Sequence, residues 1–163
     1  MKPTRKKKAK IFAYKPRLIE LLKRPGGITA EQATAAATAN LETIRRDSLA
    51  ELDKVITRLL GMRETLMTDP SPAQTDRMHA LSATVISIAG AYALTDVQAA
   101  AASLCVLIDE LDNQKRASAE AVDVHLQGLK MLHTPGQASS AEDAAAILSG
   151  LADVVKAVSA KRV

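Results

Sequence analysis

The chain has one cysteine, Cys105, one phenylalanine, Phe12, and no tryptophan among its 163 residues. A lone cysteine excludes an intramolecular disulfide and suits a reducing compartment. Aromatic residues make up 2% of a chain that is 47% apolar, so the core must be aliphatic and finely packed. No apolar run approaches the ~20 residues that span a bilayer. No apolar h-region follows the basic N-terminus, so no secretory signal is expected and a cytoplasmic location is. No His, Cys and carboxylate cluster has zinc spacing. Gly26-Gly27 is too short for a phosphate loop and no Walker motif occurs. These absences leave no expected metal, cofactor or catalytic residue. No alternating run rich in β-branched residues is present either. Abundant alanine favours helix and lets helices approach closely, so the expected fold class is all-α.

Charge is spread unevenly. Residues 1–24 carry ten Lys or Arg and one acid, Glu20, for a net +9; the remainder is net −5. The basic pI near 9.3 therefore belongs to the N-terminal segment, and the rest of the chain is mildly acidic. Residues 1–15 read as a basic disordered tail, because clustered like charges repel. Residues 16–163 read as a helical bundle domain.

Helix signals divide that domain. Pro16 to Arg24 allows a short helix, broken by Pro25-Gly26-Gly27. Thr29 and Gln32 have capping-box spacing, with Ile28 as a staple, and open the longest helix, expected over Thr29–Thr68. Asp69-Pro70 stops it. Its apolar residues Leu41, Ile44, Leu52, Val55, Leu59, Met62 and Leu66 fall close to a heptad seam interrupted by Ser48. The stretch Thr29–Asn40 has only alanines as apolar surface, so it is expected to extend past the bundle.

Ser71-Pro72-x-Gln74 opens the next helix, with Leu81, Val85 and Ile88 inward, and Gly90 is the expected joint to its successor. Thr95 to Gln98 is a second capping-box pattern, followed by Ala101, Leu104, Leu107, Ile108 and Leu111. Asp112 to Arg116 reads as a polar turn. Ser118 starts a helix carrying Val122, Leu126, Leu129 and Leu132, which His133-Thr134-Pro135-Gly136 ends. Ser139-x-x-Glu142 starts the last, with Ile147, Leu148, Leu151, Val154, Val155 and Val158. Short connections favour an up-down bundle with a long N-terminal helix and an additional C-terminal one.

The segment Ala80–Leu111, with AVDVHLQGLKML after it, resembles the histidine phosphotransfer (HPt) family over about residues 75–132. That family carries a His-x-x-Lys-Gly motif on the first helix of its central hairpin. Matching Gly90-Ala91-Tyr92 to the family's glycine-aromatic turn puts the histidine position on Ala83, the lysine on Ile86 and the glycine on Ser87. Ala83 has no nucleophile and Ile86 no charge. The resemblance therefore implies an HPt-like scaffold that is not an enzyme. It implies a binding surface of His79, Ala83, Ile86, Ser87 and Gly90, and a response-regulator receiver or chemotaxis kinase as partner. RPGGITAEQATAAATANLETIRRDSLAELDKVITRL, with the altered hairpin, is similar to the CheE family of alphaproteobacterial chemotaxis accessory proteins.

Other readings stay open. His79 lies one turn before Ala83 on the same face, which would allow an active phosphotransferase with a displaced histidine, although no lysine sits at the needed offset. The heptad seam allows a homodimer. An oligomeric scaffold could hold an acidic polymer or membrane with its basic arm. Nucleic acid and membrane are not the expected partners, since only Phe12 and Tyr14 accompany the charge and the basic run lacks interleaved large apolar residues. His125, between Val124 and Leu126, reads as a partly buried helix residue. His133 suits a helix C-terminus. Cys105 reads as an inert core thiol.

Overall fold

A computed structural model describes residues 17–24, 26–68, 71–113, 118–137 and 140–160. The expected tail, the Asp69-Pro70 stop, Ser139 and most of the Asp112–Arg116 turn lie outside the described residues. Six helices follow in order: α1 (Arg17–Leu22), α2 (Ala30–Thr68), α3 (Pro72–Ala91), α4 (Thr95–Asn113), α5 (Ala119–His133) and α6 (Ala141–Ala160). No strand occurs among the described residues, and the fold is an all-α helical bundle.

The caps explain where helices start. Thr29 and Gln32 form the reciprocal box: Gln32 N–H donates to Thr29 Oγ1 at 3.1 Å and Thr29 N–H to Gln32 Oε1 at 3.0 Å. Ser118 Oγ accepts from Ala121 N–H at 3.3 Å at the head of α5. The box that opens α6 sits one residue later than the sequence indicates. Ser140 Oγ accepts from Asp143 N–H at 3.0 Å, and Asp143 Oδ2 accepts from Ser140 N–H at 3.2 Å. Asp at the third helical position fills the role assigned to Glu142. Two other expected caps are not made by side chains. Ser71 is the N-cap of α3, with Pro72 at the first helical position, but only its carbonyl bonds into the helix. Thr95 and Gln98 are not hydrogen-bonded to each other; Leu94 O accepts from Gln98 N–H at 2.9 Å and starts α4.

The joint between α3 and α4 also moves. Gly90 is helical and the chain turns at Tyr92–Leu94. Leu94 N–H donates to Ala89 O at 2.9 Å and Ala93 N–H to Gly90 O at 3.3 Å, the bond pair of a Schellman turn. The residue this turn forces into the left-handed region is Ala93, at φ 56°. Glycine usually fills that place, because a Cβ there costs about 1–2 kcal/mol.

The chain clusters into two compact units, residues 1–40 and 41–163, with the division inside α2. The second unit holds the core. Leu52, Val55, Ile56 and Leu59 of α2 join Met78, Val85 and Ala89 of α3, and α4 gives Val97, Ala100, Ala101, Leu104, Leu107, Ile108 and Leu111. Ala121, Val122, Leu126 and Leu129 of α5 and Leu151 of α6 complete it. Each fully buried leucine contributes about 1.5–3 kcal/mol. Helix α4 contacts α3, α5 and α6, so it is the central element. Leu81 and Ile88, expected inward on α3, are only half-buried; Met78, Ser82, Val85 and Ala89 take the inner row.

Helix α5 runs antiparallel to α2, pinned at both ends. Arg63 grips Asp123, its Nη2 donating to Oδ2 at 3.0 Å and its Nε facing Oδ1. Further along α5, and correspondingly further back along α2, His133 Nε2 lies 2.6 Å from Asp53 Oδ1. His133 does end a helix, but its partner is this carboxylate. The other face of α5 meets α6 at Gly128, where a Cβ would stand 3.0 Å from Leu151 Cδ2.

Candidate functional site

The five expected binding residues lie on α3 at offsets of four, seven, eight and eleven from His79, which is one stripe at 3.6 residues per turn. The inner row of α3 faces the core, so this stripe lies to the side of it. Ala83, Ser87 and Gly90 are exposed and His79 is half-exposed. Ile86 is only half-exposed and packs against the core, so it offers an edge rather than a full apolar knob. Ser87 Oγ donates to Ala83 O at 3.0 Å, which turns the hydroxyl back onto its own helix. The surface is low and made of small groups.

Helix α4 flanks the stripe. His79 Nε2 stands 3.6 Å from Asp109 Oδ1, and a Cβ added at Gly90 would stand 3.0 Å from Gln98 Nε2. Both pairs are centred on Leu94, as an antiparallel hairpin turning there requires. Gly90 therefore admits the Gln98 side chain, which is a reason for glycine different from a joint. At the His79 end, Thr75, Asp76, His79, Ile108, Asp109 and Asp112 line a cleft of about 220 Å³.

Three carboxylates line this cleft with His79: Asp76, one turn before it on α3, is legible from the sequence, but the two on α4 are not. Those two emerge only when the chain is folded about Leu94, which sets Asp109 and Asp112 opposite α3. All three bear directly on chemistry. A phosphoryl group on His79 would bring negative charge towards Asp76, Asp109 and Asp112. Each like-charge pair near 4 Å costs roughly 1 kcal/mol in water and about 4 kcal/mol at a partly screened surface. No group of three or more His, Cys, Asp or Glu among the described residues is arranged to hold a metal ion.

Cys105 lies on α4 and is half-buried. Burial raises its thiol pKa, and the Asp109 carboxylate adds to the effect against a smaller opposing hydrogen bond with Ser82. A thiol held protonated is a poor nucleophile. His125 is more buried than the sequence indicates, at 0% exposure. Its Nδ1 is 3.0 Å from Ala121 O and its Nε2 3.0 Å from Ser103 Oγ. A carbonyl accepts only, so Nδ1 carries the proton and Nε2 accepts from the Ser103 hydroxyl. Burial lowers the His125 pKa, outweighing the carbonyl bond that favours the charged ring. The imidazole is a neutral strut between α4 and α5.

No helix among the described residues is long and apolar enough to cross a membrane. Comparison with protein-family models, curated proteins and solved structures returns no match.

Proposed function

We propose that this chain is a non-catalytic, HPt-like binding protein of chemotaxis or two-component signalling. It docks a receiver domain or a chemotaxis kinase on the α3 stripe His79–Ala83–Ile86–Ser87–Gly90. The observation that carries the reading is Ala83. It is exposed at the middle of a low stripe beside α4, where a partner can approach closely, and it has no group to phosphorylate. His79, the only histidine on the stripe, supports binding rather than transfer, because Asp109 stands beside it and Ser82, not a lysine, lies three residues on.

Two measurements test this. Titration of purified chemotaxis receiver domains is the first. Ala83→Arg puts a long charged side chain in the contact and weakens binding by about 2 kcal/mol or more if the stripe is central. Deleting residues 1–10 mainly slows association, in a salt-dependent way. Normal binding by Ala83→Arg, with binding lost at every salt concentration in the truncated chain, sinks the reading. The second is incubation with a labelled phosphorelay donor, which leaves the chain unlabelled. Stable label that vanishes in His79→Ala establishes a phosphotransferase instead.

A homodimer is the second reading. Leu41 and Ile44 on α2 are 66% and 56% exposed, an apolar pair at seam spacing. Sedimentation of the wild type against Leu41→Glu/Ile44→Glu tests it; equal monomeric masses dismiss it.

A further inference from the structure

Among the described residues, helix α1 presents the densest exposed apolar surface. Leu18, Ile19, Leu21 and Leu22 are 49% to 77% exposed, four large aliphatic side chains within six residues. At 100° per residue they fill one continuous arc of about 160° of the helix. Arg17 and Glu20 fill the other, and Lys23 and Arg24 follow directly after the helix. No charged residue interrupts the apolar arc and no apolar one interrupts the charged arc. Isolated exposed leucines are ordinary on a protein surface, but a clean two-sided partition is what an interface requires.

The charge around this helix selects the partner. Residues 1–24 carry net +9, against net −5 for the rest of the chain. A nucleic acid would use the charge and leave the four aliphatic side chains in water. An uncharged apolar groove would use the side chains and leave the charge idle. A bilayer of anionic lipid uses both: the aliphatic arc enters the boundary between headgroups and acyl chains, and the lysines and arginines stay among the headgroups. The large apolar residues absent from the basic run at Arg5–Lys10 stand a few residues downstream, on α1.

We propose that α1 and the basic segment before it form a peripheral anchor that lays the Leu18–Ile19–Leu21–Leu22 face into an anionic lipid surface. A single short apolar face holds a membrane weakly, and so does a basic patch alone. Joined in one segment, they provide the two signals that stable attachment needs. The anchor is independent of the α3 stripe and would bring the proposed docking surface to a membrane.

Co-sedimentation of the full chain with vesicles tests the proposal. The vesicles are equimolar phosphatidylserine and phosphatidylcholine, with pure phosphatidylcholine as the comparison. The wild type partitions onto the anionic vesicles at least tenfold more strongly, and salt weakens the binding. Leu18→Glu/Leu22→Glu lowers the partition at least tenfold, and so does Lys6→Gln/Lys7→Gln/Lys8→Gln, which leaves the apolar face intact. Because α1 is exposed, neither variant shifts the melting temperature, and a melt on each verifies this. Failure of the wild type to bind overturns the proposal. So does unchanged binding by Leu18→Glu/Leu22→Glu, which would make the contact purely electrostatic. Equal binding of duplex DNA by both proteins, without vesicle binding, assigns the basic segment to nucleic acid and also overturns it.

Discussion

Leu41 and Ile44 belong to the same helix and the same apolar seam as Leu52, Val55 and Leu59, yet the first pair is exposed and the second set is buried. The residue types match and the spacing is continuous apart from Ser48. What differs is the neighbour. From Leu52 onward, α2 has the core and the Asp53–His133 and Arg63–Asp123 ties to α5. From Thr34 to Asp47 every residue is exposed. A periodic apolar pattern states which side of a helix is able to bury; it does not state that anything lies opposite. The same residue type is therefore worth different amounts at the two places.

The sharpest way to break that comparison is truncation. Leu59→Ala removes a fully buried side chain and is expected to cost about 2–5 kcal/mol, while Leu41→Ala stays within about 0.5 kcal/mol. Denaturant unfolding of both variants measures the difference, and comparable losses would mean that Leu41 has a partner in solution.

Next in size is acid. His125 has a lowered pKa in the fold, so it binds fewer protons there than in the unfolded chain. Its contribution to stability is complete above the unfolded value of about 6.5 and is lost as pH falls through the lower folded value. Wild-type melting temperature should drop on acidification below about pH 6.5 more steeply than that of His125→Leu, whatever the offset between the two. Parallel curves would remove the buried imidazole as the cause.

Glycine repeats the comparison at lower cost. A Cβ at Gly128 meets both methyls of buried Leu151, whereas one at Gly61 meets nothing within 4 Å. Gly61→Ala is expected to stabilise by about 1 kcal/mol from helix propensity. Gly128→Ala should lose that gain and end about 1 kcal/mol destabilised by overpacking. Equal shifts in unfolding midpoint would contradict the close α5–α6 approach. The smallest effect is expected at the turn. Ala93→Gly relieves a left-handed alanine and should raise stability by about 0.5–1 kcal/mol in the same assay, the relief being partly offset by a more flexible unfolded chain.

Local chemistry is legible in the sequence wherever partners are close in the chain. The Thr29–Gln32 box, the Ser118 cap and the buried row of α4 all depend on spacings of three or four residues, and all can be read from it. Errors arise where two residues compete for one role. Gly90 reads as a breaker, but three residues later Ala93 takes the left-handed place, and Gly90 is needed where Gln98 crosses. Ser139 and Ser140 both fit a cap, and Asp143 decides between them. The candidate stripe follows from helical period alone. Its acidic flank does not, because Asp109 lies thirty residues beyond His79 and meets it only through the register of the hairpin. The full burial of His125 is hidden for a similar reason: its hydroxyl partner, Ser103, is on another helix.

The three-residue turn at Tyr92–Leu94 has a kinetic meaning too. Its backbone bonds close the α3–α4 hairpin over a short loop, so little chain entropy is lost before packing begins. The ties between α2 and α5 join residues 60 and 80 positions apart and must wait for that larger closure. Folding should therefore nucleate at the hairpin, with α2 arriving late. Truncations such as Leu104→Ala should then slow refolding, and those such as Leu59→Ala should chiefly hasten unfolding, a division that stopped-flow measurements on the two variants would reveal or refute.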